Sequence, residues 1–196
     1  MTSSTPLQVP YTEIKSVTNN FSDESVIGEG FLGKIYGGEL SLSGEVIDVA
    51  FRRLDHSFWL QDIAFDKEFS MLSRLSHKNL VSNVGFCIEN DEIIIINKRE
   101  ARGSLNRHLS GTTLNWMKRL EISIGVASAL SYLHNYSVIH HNVTSASILL
   151  DEKWEAKLSG FEYSMTIPAQ DRDLAYEKLG IGNYKSDVFS FGVLFI

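Results

Sequence analysis

The sequence predicts an α+β fold in which a strand-rich first half precedes a mainly helical second half. From residue 26 to residue 96, short apolar and β-branched runs alternate with turn residues, which is typical of strands. Two longer runs, 62–75 and 116–136, instead repeat apolar residues at helical spacing. With 196 residues, 43% of them apolar, the chain is long enough for one domain or two small lobes.

The first half is predicted to begin with a loose segment and a short helix. Residues 1–10 hold two of the three prolines and are expected to be loose, and a helix is expected over Tyr11 to Val17. Five strands are then expected, over Val26–Phe31, Lys34–Leu40, Glu45–Leu54, Leu80–Ile88 and Glu92–Ile96.

One helix interrupts these strands, and it carries an acidic residue among apolar ones. The helix is expected over Asp62 to Leu75, and Glu68 shares a face with four apolar residues, Phe65, Phe69, Leu72 and Leu75. Burial of an unpaired carboxylate is costly, so this face predicts a cationic partner for Glu68.

The second half is predicted to be built around a long helix. Asn115 is a suitable N-cap for a helix over Trp116 to Tyr136, which is apolar on most of its circumference and is therefore expected to be buried. A short hairpin of 148–150 with 155–158 and a final helix that starts near Ser186 are expected to follow.

Composition disfavours several classes of partner and compartment. The net charge is −6 without a basic run, which argues against nucleic acid and against an anionic membrane surface. Cys87 is the sole cysteine, so we expect a small core residue in a reducing compartment. The sequence shows neither a secretory signal nor a membrane span, and we therefore expect a cytoplasmic protein.

Seven motifs in a fixed order identify a family. They are Gly-Glu-Gly-Phe-Leu-Gly (28–33), Val-Ala-Phe-Arg (49–52), the helical Glu68, His-His-Asn (140–142), Ser-Gly-Phe-Glu (159–162), Ala-Tyr-Glu (175–177) and Ser-Asp-Val-Phe-Ser-Phe-Gly (186–192). Together they resemble a protein kinase domain. The phrases at 18–22, 72–81 and 103–105 are similar to plant receptor-like kinases and receptor-like cytoplasmic kinases, the Pelle/IRAK-like group.

The resemblance implies a bilobal protein-kinase-like fold. It assigns residues 1–20 to an N-terminal segment with a short helix and residues 21–97 to an N-lobe of five strands and one helix. Residues 98–196 would form a partial, mainly helical C-lobe that ends in its central helix.

The same resemblance exposes substitutions at the positions that perform catalysis. Asn142 stands where the family has its catalytic Asp, and Thr144 stands where it has a Lys. Ser147 and Gly160 replace the two residues that hold magnesium. Loss of a general base alone costs about 10²–10⁴-fold in rate. The resemblance therefore implies no catalytic residues and no metal site, and it disfavours a requirement for magnesium.

Nucleotide binding without metal stays open. The positions that match the family's nucleotide-binding residues are Ile27, Gly28, Gly30, Gly33, Ile35, Ala50, Arg52 and Glu68. Arg52 replaces a lysine and keeps the positive charge that can pair with Glu68, although its planar fork differs from an ammonium group. Residues 97–100 replace an apolar hinge with charged side chains, while their backbone remains able to hydrogen-bond an adenine.

Framework positions match the family better than catalytic positions do. Leu72, Phe161 and His140 match its stack of apolar side chains, and Asp187 matches the residue that anchors the stack. Four acidic residues near the altered loop are interpreted as solvated loop charges rather than substitute magnesium ligands: Asp151, Glu152, Glu162 and Asp171. The histidines at 134, 140 and 141 are interpreted as core and surface residues rather than a metal site.

The resulting functional hypothesis is a catalytically impaired kinase domain, or pseudokinase, that acts as a scaffold or regulator. Its expected partner is an active receptor-like kinase or another immune or signalling protein, which could bring it to the plasma membrane. Two alternatives stay open, a weakly active ATP-dependent serine/threonine kinase and a truncated kinase fragment without independent function.

Overall fold

A computed structural model describes residues 7–30, 32–42, 44–55, 61–110, 113–167 and 184–195. It divides into two compact units, one of Met1–Leu75 with Ser82–Arg99 and the other of Ser76–Val81 with Glu100–Ile196. Strands dominate the first unit and helices the second, which confirms the predicted α+β class. Among the described helices, none has the length and the apolar character needed to span a membrane.

In its described residues, the first unit contains a six-stranded sheet and two helices. The strands are β1 (Leu7–Gln8), β2 (Val26–Gly30), β3 (Gly33–Leu42), β4 (Glu45–Arg53), β5 (Asn83–Glu89) and β6 (Glu92–Lys98), and the helices are α1 (Tyr11–Val17) and α2 (Gln61–Leu72). The strand order is β1-β5-β6-β4-β3-β2. The pairing of β1 with β5 is parallel, and the other neighbouring strands are antiparallel.

The sixth strand corrects the expectation of five strands and, for residues 7–10, the expectation of a loose segment, while residues 1–6 lie outside the described residues. Leu7 pairs with Gly85, and the N–H of Val9 donates to the carbonyl oxygen of Phe86 over 2.9 Å. An ideal Cβ on Gly85 would lie 2.1 Å from the carbonyl oxygen of Leu7, so the close approach of β1 requires a glycine at 85. A two-residue strand has no periodicity that a sequence pattern could show.

The apolar side chains of β6 are buried on both faces of the sheet, because a cluster of apolar residues covers each face. Ile94 and Ile96 belong to a cluster that includes Val9 and Ile14, so the N-terminal segment contributes to the core. The alternate residues Ile93 and Ile95 belong to a second cluster with Phe65 of α2 and five further residues: Leu32, Leu54, Ala64, Phe69 and Phe86. Successive side chains of a strand point to opposite faces, which explains why four consecutive isoleucines are buried.

In its described residues, the second unit contains two helices and five short strands. The helices are α3 (Trp116–Asn135) and α4 (Tyr184–Phe195), and the strands are β7 (Gly103–Ser104), β8 (Val138–Ile139), β9 (Ile148–Leu150), β10 (Ala156–Leu158) and β11 (Met165–Thr166). β9 lies between β10 and β7, and β8 pairs with β11. The predicted cap of α3 is present, because the N–H of Lys118 donates to Asn115 Oδ1 over 2.9 Å.

The expected burial of α3 is only partly correct. Its buried residues are Ile122, Val126, Ala129, Leu130 and Leu133, which follow one face of the helix. Four large apolar side chains near its start are exposed instead, namely Trp116, Met117, Leu120 and Ile124. The prediction rested on how many apolar residues surround the helix axis. In the structure, neighbouring elements cover only one face of the helix.

Candidate functional site

The backbone that carries the substituted catalytic positions is held by a buried aspartate from α4. Asp187 is 1% exposed, and its two carboxylate oxygens accept hydrogen bonds from the N–H groups of His140 and His141, each over 2.8 Å. The Nε2 atom of His134 lies 3.0 Å from Asp187 Oδ2. Burial acts to raise the pKa of Asp187, but these hydrogen bonds outweigh it and hold the pKa below its usual value.

His140 lies in the interior of the second unit and contacts the segment that follows β10. Its ring is edge-on to that of Phe161 with 4.9 Å between centroids, and Nε2 lies 3.1 Å from the carbonyl oxygen of Ser159. Burial lowers the pKa of His140 to about 4, so the ring is neutral near pH 7. Among the framework residues named from the sequence, the structure therefore brings His140, Phe161 and Asp187 together.

Ser147 closes a tight turn with Thr144. Its hydroxyl lies 2.6 Å from the carbonyl oxygen of Asn142 and accepts a hydrogen bond from the N–H of Thr144 over 3.0 Å. In return, the N–H of Ser147 donates to Thr144 Oγ1 over 3.2 Å. Both hydroxyls are thus used inside the turn, as side-chain to backbone hydrogen bonds of Ser and Thr commonly are.

Three of the four substituted positions, 142, 147 and 160, lie together. Gly160 has a left-handed backbone with φ of 85°, and an ideal Cβ there would lie 3.0 Å from Asn142 Nδ2 and 3.4 Å from Ser147 Cβ. A side chain at 160 would therefore point at positions 142 and 147. In this chain, the amide of Asn142 donates to Glu162 Oε1 over 3.2 Å instead.

The interpretation as solvated loop charges is wrong for two acidic residues near this site. Glu162 is half-buried and bonded to Asn142, and Asp151 is only 7% exposed. Asp151 Oδ1 accepts from the N–H groups of Lys153 and Glu155, so it stabilises the turn between β9 and β10. Of the other two, Glu152 is exposed and position 171 lies outside the described residues, as does the motif at 175–177.

The side chains around Gly160 do not fit a magnesium ion. A hard divalent cation needs several oxygen ligands, usually including carboxylates. The carboxylate of Glu162 already accepts a hydrogen bond, and the hydroxyl of Ser147 is bound to the backbone. In the described part of the chain, no group of three or more His, Cys, Asp and Glu side chains could hold a metal.

In the first unit, the glycine-rich segment forms the hairpin of β2 and β3. Gly28 pairs with Ile35 and Gly30 with Gly33, and Ile27 lies between paired residues at an irregularity of the register. Gly33 has φ of 139°, and an ideal Cβ there would lie 2.2 Å from the carbonyl oxygen of Arg53. Glycine is therefore required at 33 by the close approach to β4.

The positive charges beside this hairpin are paired. Arg52 forms an ion pair with Glu68, which is 1% exposed, and so satisfies the partner predicted for that carboxylate. Arg53 forms a two-pronged ion pair with Glu92. Ala50, in the same strand, lies opposite Gly37 and Asn97 in the register of the sheet.

Backbone donors at the proposed hinge are also engaged. The N–H of Lys98 donates to the carbonyl oxygen of Ser82 over 2.8 Å, and the N–H of Arg99 donates to the backbone carbonyl oxygen of Asp48 over 3.0 Å. The amide of Asn83 donates to Asn97 Oδ1 over 3.1 Å. These two backbone N–H groups therefore serve the fold of the first unit.

Sequence reasoning interpreted Glu162 as a loop charge and so missed its contact with Asn142, and it did not anticipate the burial of Leu32 beside the glycines. Leu32 follows the middle of the glycine-rich segment, yet it is 4% exposed and packs with Leu54 and Phe65. The available signals were the apolar pair Phe31-Leu32 between the glycines of the segment, and a carboxylate two residues after Gly160.

Comparison with known proteins identifies the family to which these features correspond. A model of the protein tyrosine and serine/threonine kinase family matches residues 21–196. The receptor-like protein kinase FERONIA of Arabidopsis thaliana is 39% identical over 204 residues, covering 94% of this chain and 23% of that protein. The receptor-like protein kinase HERK 1 of the same plant is 37% identical over 214 residues, covering 99% and 25%. The chain thus spans about a quarter of the length of these relatives.

Proposed function

The chain belongs to the protein tyrosine and serine/threonine kinase family, and from this premise we propose that it is a catalytically impaired kinase domain with a regulatory or scaffolding role. One observation carries the proposal. The side chains at the substituted positions 142, 144 and 147 are hydrogen-bonded to one another, to the backbone or to Glu162. Amide and hydroxyl groups engaged in this way support a site without a free base and without metal ligands.

Each substitution removes a specific chemical capacity. An amide at Asn142 cannot take the proton of a substrate hydroxyl, and Thr144 brings no positive charge to a transferring phosphate. Loss of one such electrostatic contact costs roughly 3–4 kcal/mol of transition-state stabilisation. Gly160 has no side chain for a metal, so the charge of the β- and γ-phosphates would stay unneutralised.

The framework around these positions is retained, and this supports a role that depends on shape. Asp187 holds the loop, His140 contacts Phe161, and Arg52 pairs with Glu68. A framework that is retained without catalytic groups suits a module recognised in one conformation by a partner. We therefore propose an active receptor-like kinase or another signalling protein as the partner, which would bring the chain to the cytoplasmic side of the plasma membrane. The role requires no cofactor, and any ATP that binds would do so without a metal ion.

A phosphotransfer assay on the purified chain tests the proposal. We expect no transfer from ATP above background in magnesium or manganese, with the Arg52→Ala variant as the matched control. Turnover that is clear in the native chain and lost in Arg52→Ala would overturn the proposal, because it would show that the nucleotide site performs catalysis.

One contact favours a second candidate, a slow kinase with a relocated carboxylate. Glu162 Oε1 lies 3.2 Å from Asn142 Nδ2, so its carboxylate is one hydrogen bond from the position of the missing base. If this candidate is correct, the native chain turns over and Glu162→Gln abolishes the turnover. Equal background rates in the native chain and in Glu162→Gln would reject it.

A further inference from the structure

The long helix α3 carries a second apolar face, opposite to the one that packs in the core of the second unit. The core face is formed by buried residues between positions 122 and 133. On the opposite face, Met117, Leu120 and Ile124 are 60%, 43% and 62% exposed, and Trp116 at the start of the helix is 72% exposed. Large apolar side chains that gather on an exposed surface indicate a contact surface for another molecule.

The spacing of these residues indicates that the contact is with a helix. Met117, Leu120 and Ile124 stand at i, i+3 and i+7, which is the pattern with which one helix packs along another. The same stripe of the helix continues through Ala127 and Ser131, which are also exposed. We call Met117, Leu120 and Ile124 the α3 seam.

A groove of about 380 Å³ lies beside the α3 seam and shares Leu120 with it. Leu109 and, from α4, Leu194 contribute to its apolar lining. Arg119 also lines the groove, but its guanidinium donates to the carbonyl oxygens of Leu109 and Leu114 over 3.1 Å and 3.2 Å. The groove therefore offers a recess for apolar side chains next to apolar side chains that protrude.

Charges of both signs stand at the edge of the seam. Lys118 Nζ lies 2.7 Å from Glu121 Oε2, and the two side chains are 37% and 55% exposed. The whole chain carries a net charge of −6, so this edge is more balanced than the rest of the molecule. A two-fold contact brings the same surface of two copies together, and a surface with balanced charge, a protrusion and a recess can be complementary to itself.

We propose that the α3 seam is the interface of a homodimer in which two copies of α3 pack antiparallel about a two-fold axis near Leu120. Met117 of one copy then faces Ile124 of the other. With Trp116, the seam exposes about 500 Å² per copy, so the dimer buries about 1,000 Å², the lower end of the area of specific interfaces. The expected Kd is therefore weak, about 10–100 μM. The dimer goes beyond the proposed function and does not depend on it.

Sedimentation equilibrium of the purified full chain between about 1 and 200 μM tests the dimer. We expect the mass to rise with concentration from the 22.0 kDa of one chain towards twice that value. Ile124→Glu should weaken association at least about tenfold, because it places a carboxylate of each copy in an apolar contact. The matched control is Ile63→Glu on α2, where the native side chain is 49% exposed, and it should associate like the native chain within about twofold.

A cross-link gives a second readout that needs no charge in the helix. In Leu120→Cys, diamide should oxidise the thiols of two copies to a disulfide, and the diamide takes up the two electrons and two protons. The native Cys87 is fully buried and does not compete. Ile63→Cys is the control and should stay monomeric on a non-reducing gel. This readout decides the matter if Ile124→Glu does not melt cooperatively.

Four results would overturn the dimer. They are a mass of one chain at every concentration, association that persists in Ile124→Glu, equal weakening by Ile63→Glu, and association that only Phe189→Glu abolishes. The last result would assign the contact to α4, where Phe189 is 73% exposed. None of these results bears on phosphotransfer. Conversely, Arg52-dependent phosphotransfer would overturn the proposed function and leave the dimer standing.

Discussion

At the scale of single residues, Asp187 connects three parts of the second unit. It lies on α4, and it accepts hydrogen bonds from the backbone of the loop at 140–141 while contacting His134 of α3. A buried carboxylate that accepts several hydrogen bonds stabilises the loop that donates them. Removal of the carboxylate leaves each of these donors buried without an acceptor. The residue therefore holds the loop in place whether or not the loop catalyses a reaction.

Replacement of Asp187 by alanine should destabilise the second unit strongly. We expect Asp187→Ala to lower the free energy of unfolding by about 3–5 kcal/mol, since two backbone N–H groups and His134 lose a charged acceptor. Urea unfolding followed by far-UV circular dichroism measures the change. The control is Asp66→Ala at an exposed position of α2, which should change it by less than about 0.5 kcal/mol. Similar losses in both variants would contradict the role of Asp187.

Residue roles were predictable from the sequence where they depend on chemical type. The amide at Asn142 and the absent side chain at Gly160 can be read directly from the residues. The link of Asn142 to Glu162 could not be predicted, because it depends on the left-handed backbone of Gly160 and on the turn that follows it. Burial of Leu32 likewise depends on how far the hairpin bends over α2.

At the scale of elements, the N-terminal segment is an integral part of the first unit. β1 extends the sheet, Val9 and Ile14 lie in the core, and the N–H of Tyr11 donates to Glu89 Oε2 over 3.0 Å. Phe21 completes this segment, with its ring 5.2 Å from that of Tyr36. Residues 7–20 thus precede the family match at 21–196 and yet pack into the same core.

Replacement of Gly85 by alanine should release β1 from the sheet. The new Cβ would lie 2.1 Å from the carbonyl oxygen of Leu7, and displacement of a two-residue edge strand is the easiest way to relieve that clash. We expect a loss of about 1–3 kcal/mol in the free energy of unfolding and loss of exchange protection at the N–H of Val9.

The control for this variant is the same substitution at Gly192. Gly192 lies in α4 and has no described atom within 4 Å of its ideal Cβ, so alanine is tolerated there and favours the helix. A Val9 amide that stays protected in Gly85→Ala would contradict the prediction, because β1 would then remain paired with β5 despite the added methyl group.

Elements with strong local signals were predicted well. The helix at Tyr11–Val17 has its predicted bounds, and α3 starts after its predicted cap at Asn115. β1 was missed because its pairing is set by a tertiary partner. Exposure at the start of α3 was missed for the same physical reason, since periodicity does not identify which apolar residues a neighbour will cover.

At the scale of the whole molecule, the free energy of unfolding depends on pH because two histidines, His140 and His77, bind a proton less readily in the folded chain than in the unfolded chain. Burial lowers the pKa of His140 from its ordinary 6.5 to about 4, so the unfolded chain binds this proton at a higher pH than the folded chain does. Burial, with nearby Lys78 and Lys157, also lowers the pKa of His77. Both effects favour the folded state above pH 6.5 and are lost as the pH falls.

We therefore expect the free energy of unfolding to fall between pH 6.5 and pH 4. The contribution of His140 is about 3 kcal/mol over this interval. Urea unfolding at several pH values measures it, and His140→Leu should remove most of the slope while Asp187 stays ionised. An unchanged slope in His140→Leu would contradict the assignment. Below pH 4, protonation of Asp187 should cause a separate loss, because its folded pKa lies below its ordinary value.

The buried Cys87 has a practical consequence for studying motion in this chain. Its side chain is fully buried, and burial raises the pKa of the thiol to about 11, so very little reactive thiolate exists near neutral pH. Because the sequence has no other cysteine, the native chain serves as its own unlabelled background for maleimide chemistry. A cysteine introduced at position 32, where the native side chain is 4% exposed, would then accept a dye only while a local opening exposes that position, and the labelling rate would report the frequency of that opening.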